Sequence, residues 1–165
     1  MTTKLIPQEI IQNKIFLIRG LKIMLDKDLA ALYDVETRVL NKAVTRNLDR
    51  FPEDFCFKLT KGEFHHLMFH FGTSKRGGTR KLPRAFTEHG ILMLSSVLNS
   101  KRAIQVNIQI MRTFTQLREI LANHKGLREK IEAMEKKYDH QFKIVFQAIK
   151  ELLEPPQKPK RPIGF

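Results

Sequence analysis

The sequence has very little cysteine, no tryptophan, no long apolar run and far fewer acidic than basic residues. Among 165 residues there is one cysteine, Cys56. A single cysteine excludes an internal disulfide framework and a four-cysteine zinc site, and it fits a reducing compartment. No apolar run approaches the roughly 20 residues that span a bilayer, and the first residues lack the pattern of a signal peptide. We therefore expect a soluble, cytoplasmic protein with no membrane partner.

The shortage of acidic residues gives the chain a net charge of +13, from 30 Lys and Arg against 17 Asp and Glu. Residues 1–122 hold 20 basic and 11 acidic residues, and residues 123–165 hold 10 and 6, so the excess is not merely a basic tail. Such a surplus favours polyanions, and nucleic acid is the commonest of these inside cells. The alternative is a solvated lysine surface that keeps the protein soluble.

The hydrophobic periodicity predicts an α+β domain over residues 1–122. Apolar runs at 14–19 and 22–25, separated by Gly20, predict a β-hairpin. Further strands are predicted at 55–59 and 82–86, and helices at 27–33, 37–49, 61–71, 88–98 and 101–122, with Asp26, Thr37 and Thr87 as N-caps. The last helix is apolar over a broad arc, which predicts a core element packed on two sides. Its apolar residues are Ile104, Val106, Ile108, Ile110, Met111, Phe114, Leu117 and Leu121.

Residues 28–48 have the layout of a helix-turn-helix. A short helix with small residues is followed by a tight turn holding Val35 and by an amphipathic second helix. The predicted buried stripe of that second helix is Val39, Leu40, Ala43, Val44 and Leu48. Its opposite face carries residue types that contact phosphates and base edges, and it is predicted to bind DNA through Arg38, Asn41, Lys42, Thr45 and Arg46. The alternative is an ordinary polar surface of a short helix pair.

A second basic element lies between residues 72 and 84, which contain no acidic residue. Gly77 and Gly78 stand midway between two pairs of cations, so a two-residue glycine turn would place them on one protruding hairpin arm. The predicted DNA contacts of this arm are Lys75, Arg76, Arg80, Lys81 and Arg84. The alternative is a solvated loop whose charges are incidental.

Beyond a possible hinge at 123–126, apolar residues alternate by four and three, the repeat of a coiled coil. Residues 123–154 are therefore predicted to form a dimerisation helix, with Gln141 as its polar core position. The homodimer contacts would be Leu127, Ile131, Met134, Tyr138, Val145 and Leu152. The alternative is a helix that folds back on its own domain. Residues 155–165 are rich in proline and basic residues, which predicts a disordered tail.

A longer pattern resembles the phage open-reading-frame-six N-terminal domain (Orf-six-N), a family related to the KilA-N and Bro-N domains. The resemblance covers about residues 12–118, in order and at natural spacing. Its matching segments include Ile18-Arg19-Gly20, Asp28-Leu29-Ala30, Leu32-Tyr33, Leu40-Asn41, Arg50-Phe51-Pro52-Glu53-Asp54-Phe55, Arg80-Lys81-Leu82-Pro83, Ala85-Phe86-Thr87-Glu88 and Gln105-Val106-Asn107-Ile108. One departure is Asp34, where the family usually has a glycine in the turn.

The resemblance implies a DNA-binding module of phage antirepressors and other mobile-element proteins, usually joined to a varied C-terminal part. It therefore predicts a transcriptional regulator that binds double-stranded DNA in the nucleoid of a bacterial or phage-infected cell, with a repressor protein as a second candidate partner. It does not say which residues touch bases. The alternative from another class is a protein-interaction adaptor, which binds a repressor through its coiled coil without contacting DNA.

Catalysis and metal binding have little support in the sequence. Glu63, His66 and His70 share one face of a predicted helix, but they complete no known ligand set. Cys56 lies in an aromatic strand and is most simply a small buried hydrophobic residue. We therefore predict a protein that is not an enzyme and that needs no cofactor.

Overall fold

The computed structural model describes residues 6–71, 81–126, 128–130 and 133, with the backbone alone at residues 69–71. Its elements confirm an α+β fold in which helices pack around a small antiparallel sheet. The helices are α1 (Gln8–Gln12), α2 (Asp26–Tyr33), α3 (Thr37–Arg46), α4 (Lys61–Phe71), α5 (Glu88–Leu98) and α6 (Lys101–Asn123). The strands are β1 (Phe16–Ile18), β2 (Leu21–Leu25), β3 (Cys56–Lys58) and β4 (Arg84–Thr87), and a 3₁₀ turn spans Leu48–Arg50.

The sheet has the strand order β1-β2-β4-β3, and each neighbouring pair is antiparallel. The predicted hairpin is confirmed, because β1 and β2 pair with Ile18 opposite Leu21. Its two-residue turn, Arg19-Gly20, has a positive φ at both positions, 55° and 73°. That backbone matches the right-handed twist of the flanking strands, so it closes the hairpin tightly.

Alternate side chains of the sheet enter two separate hydrophobic clusters, one on each face. Met24 and Phe86 point into the larger cluster, which contains residues of α1, α2, α3, α5 and α6. Ile23 and Ala85 point to the opposite face, where Leu67 of α4 covers them. The sheet is therefore a middle layer, which explains why its central strands are apolar on both sides.

Four residues predicted to be buried are exposed. Val39 and Leu48 are 45% and 58% accessible. Leu48 lies beyond the end of α3 at Arg46, whereas Val39 lies within α3 on the side away from the buried Leu40 and Val44. The fully buried residues of α3 are Leu40 and Val44. In α6 the broad apolar arc is buried on one side only. Ile104 and Ile108 remain 45% and 46% accessible, whereas Val106, Ile110, Phe114 and Leu117 enter the core.

The predicted caps are confirmed in part. Thr87 accepts a hydrogen bond from the Gly90 backbone N–H and caps α5. Asp26, in contrast, is the first residue of α2 and not its N-cap, and α3 begins at Thr37 with no side-chain cap. No described helix is long and apolar enough to cross a membrane.

The backbone changes conformation sharply at the ends of α2 and α6. Asp34, in the turn after α2, adopts the left-handed conformation with φ 61° and ψ 45°. The N–H groups of Asp34 and Val35 donate to the carbonyls of Ala31 and Ala30, which is the Schellman arrangement that ends a helix. At the other end of the domain, α6 ends at Asn123 and His124 has a non-helical ψ of 76°. This break lies at the start of the segment predicted as a hinge.

Candidate nucleic-acid interface

The α2–turn–α3 unit has the predicted helix-turn-helix layout, with α3 on the outside. Leu40 and Val44 pack α3 onto the domain and are 0% and 1% accessible. Val35, in the turn, packs against the same core cluster and sets the angle between the two helices. The side of α3 away from these contacts is therefore open, and it exposes Arg38, Val39, Lys42, Thr45 and Arg46.

Three cations follow one another at four-residue spacing along this open side. Arg38 forms an ion pair with Glu36 at 3.2 Å, but both side chains are more than 70% exposed, so the pair contributes little. Among the described residues, Lys42 and Arg46 have no acidic partner. Like charges four residues apart destabilise a helix by about 0.2–0.5 kcal/mol per pair. The basic stripe of α3, defined here as Arg38, Lys42 and Arg46, thus costs the fold some stability.

Asn41 lies at the edge of this open side, and its amide is already engaged. It is half-buried, and its Nδ2 donates to Asp26 Oδ2 at 2.9 Å. Arg84, in β4, donates through Nη1 to the Asn41 backbone oxygen at 3.1 Å and through Nη2 to Thr45 Oγ1 at 3.4 Å. The structure thus brings together three predicted site residues from two elements, Asn41 and Thr45 of α3 and Arg84 of β4.

The predicted hairpin arm is described only at its C-terminal end. Lys81 is exposed, and the Leu59 backbone N–H fixes the adjoining chain by donating to the Pro83 carbonyl at 3.0 Å. Since Arg84 touches α3, the arm joins the domain directly beside the helix with the basic stripe. The other predicted arm contacts, Lys75, Arg76 and Arg80, lie outside the described residues, as do the predicted dimer contacts Leu127, Ile131, Met134, Tyr138, Val145 and Leu152.

A buried polar contact that the sequence analysis did not predict fixes the helix-turn-helix to α6. Asn107, 2% accessible, donates through Nδ2 to the Ile91 carbonyl at 2.6 Å and accepts a hydrogen bond from the Tyr33 hydroxyl. Arg102 Nε also donates to the Leu32 carbonyl at 3.0 Å, at the end of α2. The sequence does contain a signal for this contact, because an asparagine within the apolar stripe of α6 needs hydrogen-bond partners when it is buried.

The contacts of Glu63 and the partial burial of Cys56 account for these two residues without catalysis, and the His70 side chain lies outside the described residues. Glu63 accepts two hydrogen bonds from Arg19, at 2.7 and 2.9 Å, and caps α4 by accepting from the Thr60 backbone N–H. Burial raises the pKa of Cys56 to about 11, which leaves its thiol protonated near neutral pH. Within the part of the chain that the structure describes, no three His, Cys, Asp or Glu side chains are grouped to hold a metal ion.

The fold and the site together define a class of protein, namely an α+β domain with a basic helix-turn-helix beside its sheet. The chain belongs to the ORF6N domain family, whose model matches residues 13–97 and so confirms the resemblance. The matched segment runs from the chain before β1 into α5, and it includes the sheet and the whole helix-turn-helix. The family indicates a regulatory domain of the phage type. Neither the curated proteins nor the solved structures contain a match to the chain.

Proposed function

We propose that this protein binds double-stranded DNA in a sequence-dependent manner and acts as a transcriptional regulator or antirepressor of a phage or mobile element. The observation that carries the proposal is the basic stripe of α3. Its three cations repel one another, and two of them have no acidic partner among the described residues. A bound polyanion offsets that repulsion, and duplex DNA presents regularly spaced phosphate charges along the edges of its grooves.

In the proposed complex, α3 enters the major groove with its open side toward the bases. Arg38 and Lys42, near the start of the helix, reach base edges or flanking phosphates, and Arg46 contacts the backbone. The exposed methyl groups of Val39 supply an apolar surface of the kind that contacts thymine methyl groups. This role gives a reason for a 45% accessible valine on an otherwise polar surface.

The remaining predicted elements extend this complex. The Lys75–Lys81 arm would contact the DNA backbone or an adjacent groove, since its described end lies beside α3. The predicted coiled coil of residues 123–154 would make a homodimer, so that two domains contact two half-sites. In this arrangement residues 1–122 bind DNA, and residues 155–165 add a basic tail.

Selection of bound fragments from a random duplex pool tests the proposal. The full chain should enrich a defined sequence, and a split palindrome would support the dimer. Lys42→Gln and Arg46→Gln should each lower the slope of log K against log [salt] by about 0.9, the loss of one phosphate contact. Arg112→Gln, an exposed position on α6, removes the same charge elsewhere and should change the slope less.

The outcome separates DNA binding from the adaptor alternative. If the protein enriches no sequence and fails to bind duplex DNA even at low salt, the DNA-binding proposal is wrong and the adaptor becomes the better account. If Arg112→Gln weakens binding as much as Arg46→Gln does, the charge acts nonspecifically and α3 is not the contact surface.

A further inference from the structure

The guanidinium of Arg84 is held against α3 by two residues that are one helical turn apart. Its Nη1 lies 3.1 Å from the Asn41 backbone oxygen and 3.4 Å from Asn41 Oδ1, and its Nη2 lies 3.4 Å from Thr45 Oγ1. Both nitrogens thus contact the same edge of the helix. A side chain from the sheet is thereby fixed beside the residues proposed to contact DNA.

Asn41 can hold Arg84 because its own amide cannot rotate freely. Asp26 is 5% accessible, and its Oδ2 accepts from Asn41 Nδ2 at 2.9 Å. A carboxylate oxygen accepts only from the NH₂ group of the amide, so Asn41 Oδ1 must face Arg84. The same Asp26 oxygen also accepts from the Arg84 backbone N–H at 3.2 Å, which closes a ring of three residues from α2, α3 and β4.

The charge of Arg84 is not neutralised by a direct ion pair. Its side-chain contacts are to amide, carbonyl and hydroxyl oxygens, and none of the ion pairs among the described residues includes it. An arginine has five N–H donors in a planar fork that matches the oxygens of a phosphate. The contacts with α3 use part of that fork and leave its remaining donors for an anion.

We propose that Asn41 is a positioning residue that aims Arg84 at a backbone phosphate of duplex DNA, and that it does not itself contact a base. This inference rests on the proposed DNA binding, and it replaces base contact with positioning as the role of Asn41. Asp26 orients Asn41, Asn41 and Thr45 orient Arg84, and Arg84 binds the phosphate. Because phosphates are the same at every base pair, this chain of contacts adds affinity without sequence preference.

The test is a double-mutant cycle on the full chain with Asn41→Ala, Arg84→Ala and the double variant. Affinity is measured for the selected duplex and for a scrambled duplex at several salt concentrations. Arg84→Ala should weaken binding about tenfold to both duplexes, the loss of one charge-assisted contact, and should lower the salt slope by about 0.9. Asn41→Ala should weaken both duplexes alike, and the double variant should be no weaker than Arg84→Ala alone.

Thr45→Val provides a second route to the same conclusion, since it removes the other anchor of Arg84 from an exposed position and keeps the side-chain shape. Its effect should also disappear in the Arg84→Ala background, and thermal unfolding of each variant shows that the comparison is between folded proteins. A loss from Asn41→Ala that persists with Arg84→Ala, or a changed sequence preference, would overturn the positioning role while DNA binding stands. Failure of the unchanged protein to bind any duplex would overturn both proposals.

Discussion

Gly90 provides the sharpest test of the fold, because the structure and helix propensity predict opposite effects for its replacement. It lies in the first turn of α5 and is buried. A Cβ atom at this position would be 2.1 Å from the carbonyl oxygen of Phe55 and 3.0 Å from its carbonyl carbon. These are backbone atoms, so no side-chain rotation can relieve the contact. Gly90→Ala should therefore force α5 away from Phe55, the residue just before β3.

The expected magnitude follows from three contributions. Separating packed backbone costs about 1–3 kcal/mol, as overpacking does in other cores. The Phe55 oxygen also accepts from the Thr87 backbone N–H at 3.0 Å, and weakening that hydrogen bond costs about 1 kcal/mol. Alanine recovers about 0.5–1 kcal/mol of backbone entropy and helix propensity. The net loss is about 2 kcal/mol, which for a protein of this size lowers Tm by about 4–8 °C.

Thermal unfolding followed by circular dichroism measures this effect, and Gly62→Ala is the matched control. Gly62 is exposed in the first turn of α4, and among the described residues its added Cβ would meet Thr60 Oγ1 at 3.9 Å, an ordinary contact. The control should gain about 0.5 kcal/mol from the same chemical change. If Gly90→Ala proves as stable as the unchanged protein, the close approach of α5 to Phe55 is wrong.

Three further substitutions test the buried contact, the ion pair and the turn. Tyr33→Phe leaves Asn107 Oδ1 without its donor in the core, and urea unfolding should show a loss of about 1–3 kcal/mol; no loss would mean that water replaces the hydroxyl. Although burial raises the pKa of Glu63, hydrogen bonds from Arg19 hold it below the usual 4.5. The stability from this pair is therefore present above pH 4.5 and lost as pH falls through the lower pKa of the folded state. Glu63→Gln should flatten the acid side of the stability curve, and an unchanged slope would show that the pair has no effect. Asp34→Gly should raise stability by about 0.5–1 kcal/mol in thermal unfolding, since glycine adopts φ 61° without strain; a decrease would mean that the carboxylate stabilises the turn.

Local patterns were enough to predict most elements of this fold. The hairpin at 14–25, the strand before the Thr87 cap, the helix after it and the long helix from residue 101 depend on turn residues, caps and periodicity within a few positions. The structure places each of them within a few residues of its predicted bounds. The same holds for the helix-turn-helix, whose turn geometry survives with Asp34 in the place of glycine.

The burial of individual apolar residues was harder to predict. Periodicity shows which residues share a face of a helix, but it does not show how many other elements pack against that face. Ile104 and Ile108 are as apolar as Val106 and Ile110, yet α6 is covered on one side only in the described part of the chain. Leu48 was assigned to the core because α3 was predicted to extend to residue 49, and Val39 was assigned there because the periodicity placed it in the buried stripe with Leu40. In both cases the missing information is the position of other elements in space.

Contacts between polar side chains far apart in sequence were likewise out of reach. Asp26 has the sequence features of an N-cap, since aspartate before a helix usually serves that purpose. In the structure its carboxylate instead joins Asn41 and the Arg84 backbone, 15 and 58 residues away. A local pattern cannot distinguish these uses, because a cap and a tertiary hydrogen bond need the same residue type.

These buried polar contacts bear on function because they fix the orientation of the helices, which could shift against one another if apolar packing alone held them. Met24, Leu29 and Leu40 supply non-directional burial, whereas a hydrogen bond is made only over a narrow range of distance and angle. Asp26 thus fixes α3 against β4, and Asn107 fixes α2 against α5 and α6. A helix that carries repelling cations needs such restraint, since a groove-binding surface works only if its side chains keep their spacing. The stability lost along the basic stripe is therefore offset by contacts on the buried side of the same helix pair.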